Sequence, residues 1–198
     1  YTGTWCGWCP RGFVALEKLA ELFPDDYVLI SYHNEDPMAI MDGYDVPYPS
    51  DVQGFPTSFV DRVMEADPYN GLTEDEPLGI VNVLDERCAE FGVADVEVAA
   101  TWNTDGTAID VTTQVTTPTD LAGSNYAIEY VLVADGLTGT TKDWAQSNYF
   151  SNSSAFAWDE NLSEFVNAGG TVTGLVFNDV AVYNSGIGGI GDILPEMM

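Results

Sequence analysis

Positive charge is what this sequence has least of. Five Lys+Arg stand against 32 Asp+Glu in 198 residues, a formal net charge of −27. Phosphate binding needs clustered Lys and Arg, so nucleic acid is excluded as a default partner. Docking on an anionic bilayer through a polybasic patch is excluded for the same reason. Long apolar runs are lacking too. No stretch approaches the roughly 18 residues that mark a membrane-spanning helix. Histidine occurs once and cysteine three times. Apolar residues are not scarce: the chain is 45% hydrophobic and 12% aromatic, enough to bury a core. A folded, strongly acidic protein is expected, with high solubility and some self-repulsion in its native state. Residues 1–93 carry 18 of the acids and four of the bases, so no acidic tail accounts for the charge.

The two halves differ in texture. Phe13, Leu16, Ala20 and Phe23 recur at helical spacing, with Glu17, Lys18 and Glu21 opposite, which predicts an amphipathic helix from Pro10 to Leu22. Tyr27 to Tyr32 reads as a buried, parallel strand. A short helix is expected at Pro37 to Met41, and a second strand at Thr57 to Val60. Pro77 to Phe91 predicts another helix, with Ile80, Leu84, Cys88 and Phe91 on one face and Gly92 at its end. This half is α/β. Beyond Val93 to Asp95, strand formers dominate. Val96–Trp102 and Ala108–Val115 flank an Asp-Gly turn and predict a hairpin. Further strands are expected at Asn125–Val133 and Thr171–Tyr183, with no helix. An α/β domain over residues 1–93 and an antiparallel, sandwich-like β-domain over residues 94–198 are the expected organisation.

Chemistry is concentrated at Trp5-Cys6-Gly7-Trp8-Cys9-Pro10. Two cysteines three apart at a helix start can reach disulfide distance. Unpaired backbone N–H groups and the positive helix end there favour a thiolate. A disulfide closing so short a loop constrains the unfolded chain little, so it suits being made and broken better than holding a fold together. A structural disulfide and a zinc knuckle are the competing readings. Zinc normally needs a second ligand pair. Only His33 and Cys88 remain, without tight spacing, so no metal and no cofactor are expected. Gln53-Gly54-Phe55-Pro56-Thr57 leads into a strand, and Pro56 after an aromatic suits a cis peptide.

Together these motifs resemble the thioredoxin superfamily. The resemblance covers residues 1–93. It implies a thioredoxin-like domain with Cys6 as nucleophile, Cys9 as resolving thiol and Pro56 as a cis proline packed beside the dithiol. It also implies a strand ahead of Tyr1 bearing a buried acid. More narrowly, Tyr1 to Gly12, His33-Asn34 with Asp36-Pro37-Met38, and Gly54 to Thr57 resemble a bacterial, Bacteroidetes-type family. That is a family of outer-membrane lipoproteins with an N-terminal thioredoxin-like domain and a C-terminal β-domain. Trp144, Gln146, Asn148 and Tyr149 fit the same likeness. It implies a cell-envelope thiol-disulfide oxidoreductase, acting on a protein or peptide thiol or disulfide and served by a redox partner protein. Membrane attachment would come only through an upstream lipid anchor. Both domains are then expected to be cut short at the chain ends, leaving unpaired edges. A non-enzymatic lipoprotein with a structural or vestigial cysteine pair is the alternative.

Other residues have plainer readings. Trp5 and Trp8 are expected to form a partly exposed platform for substrate, with Phe55 and Thr57 beside it. Arg11 is either a thiolate stabiliser or a surface arginine. His33 is expected to be hydrogen-bonded at a strand end, and Cys88 to be a buried thiol. Asp42, Asp45 and Asp51, and the loop Asp67, Asn70 and Glu74–Glu76, lack the spacing of a calcium loop and read as solvated.

Overall fold

In a computed structural model, residues 1–40, 52–69, 78–118, 126–185 and 192–193 are described. The acidic loops and the start of the second helix lie outside them, apart from Asp67. Helix α1 spans Pro10–Leu22 as expected, with Cys9 at its N-cap and Pro10 as its first residue. Proline suits that position because its missing N–H has no helical partner there. The buried residues of α1 are Pro10, Gly12, Val14, Ala15 and Leu19, whereas Ala20 is exposed. The helix therefore buries two flanks. Val14 and Ala15 enter one apolar cluster; Leu19 joins Ile80 and Leu84 in another.

The expected strand at 27–32 does not form as a regular element. Among the described residues only Ser31 and His33 make isolated parallel bridges here, to Val180 and Thr2, and Val28 is 84% exposed. A buried parallel strand needs neighbours along both edges, and this segment has them only at its end. Strand β1 (Ser58–Val60) does form, paired antiparallel with β2 (Met64–Ala66), a hairpin not foreseen from the pattern. Positive φ at Asp61 and Arg62 makes its turn. Helix α2 is shorter than expected, Ile80–Cys88. Ile80 and Leu84 are buried, but Cys88 is exposed and Phe91 is 97% exposed. The reading of Cys88 as a buried thiol is thus corrected: α2 runs one turn past the cluster it packs on.

Strands β3 (Asp95–Trp102) and β4 (Ile109–Thr116) form the expected hairpin, turning at Gly106 with positive φ. Its pairs Val96–Val115, Ala100–Val111 and Trp102–Ile109 share one face. Every residue of β3 is exposed. Further on, β5 (Ala127–Ile128), β6 (Val131–Ala134), β7 (Gln146–Ser147), β8 (Thr171–Val172), β9 (Val180–Asn184) and β10 (Asp192–Ile193) are short. They pair β5–β10, β6–β9 and β7–β8, all antiparallel. The architecture is mixed α/β with small antiparallel sheets. Among the described residues each sheet of 94–198 has two strands. A one-turn helix α3 (Ser163–Asn167) also appears where none was expected.

Contacts cross position 93 freely. The largest apolar cluster unites Val14, Ala15 and Tyr69 with Phe150, Phe156, Leu162 and Phe165. A third joins Met38 to Phe177 and Val180. Full burial of a Leu or Phe side chain stabilises by roughly 1.5–3 kcal/mol, so this junction is a principal part of the core.

Candidate functional site

The site is built on the turn entering α1. The N–H of Cys6 donates to Gly3 O at 3.0 Å, and that of Cys9 to Cys6 O at 3.2 Å. The carbonyl of Cys9 then accepts from Gly12 at 2.8 Å and Phe13 at 3.3 Å, starting the helix. This winding brings the two Cα atoms to 5.4 Å, and Cys6 and Cys9 are joined as a disulfide. Cys6 is 5% exposed and Cys9 fully buried.

The Phe55–Pro56 peptide is cis. Pro56 lies against the first turn of α1: a Cβ on Gly12 would stand 3.0 Å from the Pro56 Cβ. Glycine at position 12 permits that approach. Thr57 is tied down by its hydroxyl, which donates to Gly54 O at 2.7 Å. Trp5 packs on Phe55 with centroids 5.4 Å apart, and its indole N–H donates to Asn34 O at 2.7 Å. Trp8 turns to other neighbours. It meets Tyr149, Phe150 and Phe156 edge-to-face at 5.5, 5.4 and 6.5 Å. Both tryptophans remain 43% exposed. The structure thus gathers Cys6, Cys9, Trp5, Trp8, Phe55, Pro56 and Thr57 around one turn. Arg11 lies 6.0 Å from the Trp8 ring centroid and pairs with Asp67 at 2.5 Å. Burial pushes the Asp67 carboxyl above its ordinary range; the Tyr69 N–H and Arg11 pull the other way. Tyr69 is buried and donates to the Asp159 carboxylate. Burial, then that acceptor and its charge, raise the phenol well above its usual value.

A strap from the second half holds the cysteine turn, and its residues had entered only through a likeness. Ser147 N–H donates to Thr4 O at 2.7 Å and Tyr149 N–H to Gly7 O at 2.9 Å. The Thr4 hydroxyl donates to Asp143 O at 2.8 Å. Gln146, fully buried, donates its side-chain amide to Cys6 O at 2.7 Å. A Cβ on Gly7 would enter the Tyr149 ring, which explains a glycine between the cysteines. Such partners are invisible to local pattern because they lie some 140 residues away.

Below the turn, one Asp36 oxygen accepts from Thr4 N–H at 2.9 Å and meets His33 Nδ1 at 2.7 Å. Its other oxygen accepts from Met38 N–H at 2.9 Å. Both side chains are 1% exposed. His33 is the hydrogen-bonded histidine the sequence suggested. Among the described residues no three His, Cys, Asp or Glu side chains converge as a metal site. No helix there is long and apolar enough to cross a membrane. No family model, curated protein or solved structure matches the chain.

Proposed function

We propose that the chain is a thiol-disulfide oxidoreductase of thioredoxin-like type. The observation that carries this reading is the Cys6–Cys9 disulfide at the start of α1, with the cis Phe55–Pro56 peptide packed on the same helical turn. In the reduced form, Cys6 thiolate attacks a substrate disulfide. A Cys6–substrate bond forms as the substrate S–S bond breaks, and the departing sulfur leaves as a thiolate that takes a proton. Cys9, having lost its proton, attacks Cys6, closes the disulfide and releases the second substrate thiol. Two electrons pass to substrate, and a dithiol partner protein restores the pair. Run in reverse, the same steps oxidise a substrate dithiol. Trp5, Trp8 and Phe55 supply sequence-tolerant apolar contact, and Pro56 and Thr57 offer backbone to an extended peptide. The acidic surface favours protein substrates over small anionic thiols. A bacterial envelope setting, reached through a lipid anchor upstream, belongs to this proposal and fits the charge.

A second reading is favoured by one observation: both sulfur-bearing residues are almost wholly buried. Here the disulfide is structural and the chain is a non-enzymatic envelope lipoprotein that binds a partner through its second half. Redox titration against glutathione and dithiothreitol separates the two. A potential between about −120 and −270 mV supports exchange chemistry; one below about −300 mV supports the structural role. Turnover of a disulfide substrate that survives Cys6→Ser would sink the mechanism.

A further inference from the structure

Strands β3 and β4 have two unlike faces. Side chains alternate along a strand, and the register puts Val96, Val98, Ala100 and Trp102 on one face, each beside an uncharged residue of β4. The opposite face carries Asp95 and Glu97 from β3 and Asp110 from β4. On the apolar face, β4 is partly covered: the Tyr130 hydroxyl donates to Thr113 Oγ1 at 3.0 Å, and Ile109, Thr113 and Val115 are half-buried. The β3 side lies open, with Trp102 67% exposed. Among the described residues β4 is the only strand beside β3. A two-stranded hairpin is marginal in water by itself, and a third strand is what consolidates it.

Asn103 N–H donates to Ala108 O at 2.9 Å, across the pair that follows Trp102–Ile109. Hydrogen-bonded and non-bonded pairs alternate along an antiparallel ladder. Thr101, Ala99, Glu97 and Asp95 are therefore the residues bonded to β4. Those between them, Val96, Val98, Ala100 and Trp102, turn N–H and C=O to the outer edge. The apolar face and the open backbone edge thus belong to the same four residues. Charge says what fits there. Residues 88–141 contain no Lys or Arg, while Asp95, Glu97, Asp105 and Asp110 lie in the hairpin. A second copy would bring no base to this fringe and would add its own charge of −27, which opposes self-pairing. A cationic partner is complementary to it.

We propose that the outer edge of β3 accepts a strand from a partner protein in which apolar residues alternate with Lys or Arg. The partner's apolar side chains extend the face of Val96, Val98, Ala100 and Trp102. Its bases fall on the other face, beside Asp95 and Glu97. The outward N–H and C=O groups of the four apolar-face residues supply the main-chain bonds, and the alternation of side chains supplies the selectivity. This inference is independent of the redox reading.

The test titrates the full chain with acetyl-Lys-Val-Lys-Ile-Lys-Val-Lys-Val-amide at about 0.15 M salt. Acetyl-Lys-Lys-Val-Val-Lys-Lys-Ile-Val-amide, equal in composition and charge but without the alternation, is the control. Calorimetry is expected to show the alternating peptide binding at least about 10-fold more tightly. By NMR, its saturation should slow exchange of the Val96, Val98, Ala100 and Trp102 amides at least about 10-fold, and leave Ala99 and Thr101 nearly unchanged. Equal affinity for the two peptides would overturn the proposal, because charge alone would then hold them. So would binding that leaves those four amides unprotected, or a peptide-free chain that dimerises and protects them itself. Two further peptides, methylated on one or the other alternate set of backbone nitrogens, test the edge without altering the protein. One set should abolish binding and the other keep it; identical behaviour would also overturn the proposal.

Discussion

The side-chain amide of Gln146 donates to the carbonyl of Cys6 at 2.7 Å, from a fully buried position. Removing it leaves that carbonyl without this donor. Gln146→Leu should lower unfolding free energy by about 1–3 kcal/mol in urea denaturation. It should also shift the Cys6–Cys9 reduction potential, which a remote core change would not. An unchanged potential would separate Gln146 from the disulfide.

Gly7 faces the Tyr149 ring with no room for a Cβ. Gly7→Ala should therefore cost about 1–3 kcal/mol through overpacking. Pairing it with Tyr149→Ser should recover part of that loss, because the obstructing ring is gone. A double-mutant cycle by thermal denaturation reads the coupling.

Asp36 accepts from Thr4 N–H and Met38 N–H and meets the His33 ring. Asp36→Ala strands these groups beneath the cysteine turn. A loss of about 3 kcal/mol is expected. Wild-type stability in this variant would show that water replaces the carboxylate.

Glu17 titrates above the usual glutamate range because of burial and, after it, the carboxylates of Glu164 and Glu21. For an acid raised in the folded state, the folded protein holds its proton longer than the unfolded chain. Stability is therefore lost as pH climbs from the unfolded value through the folded one. Glu17→Gln should be more stable than wild type at pH 7, by less than about 1 kcal/mol given the exposed position. The gain should vanish towards pH 3, where Glu17 is neutral in both states. Denaturation midpoints at the two pH values decide it.

With a net charge of −27, the whole native surface repels itself. Salt shortens the Debye length from about 30 Å at 0.01 M to about 8 Å at 0.15 M. The melting temperature should rise across that interval and flatten above it. A falling melting temperature would mean that the ion pairs outweigh the repulsion.

Local signals were legible. Helix α1, the β3–β4 hairpin and the cis Phe55–Pro56 peptide all stand where short patterns placed them, because cap, turn and X-Pro preferences act within a few residues. That Phe55 and Pro56 come to the cysteine turn was implied by the resemblance and not by local pattern. What failed was anything set by distant partners. The run at 27–32 looked buried because it is apolar, but Val28 is 84% exposed. Cys88 and Phe91 kept the helical spacing of a buried face beyond the point where α2 has anything to pack on. The strap at 143–149 and the wall of Phe150 and Phe156 lie far along the chain from the turn they grip.

The scarce bases hold one more consequence. Arg11, Arg62 and Arg87 are spent on Asp67, Glu129 and Asp61, each joining distant segments, and Lys18 meets Glu21. Four of the five bases thus have assigned addresses, while the acids outnumber them more than sixfold. Sequence drift in such a protein is lopsided. Most carboxylates can come and go at little cost to any one contact, whereas each arginine is irreplaceable from within the chain's own supply.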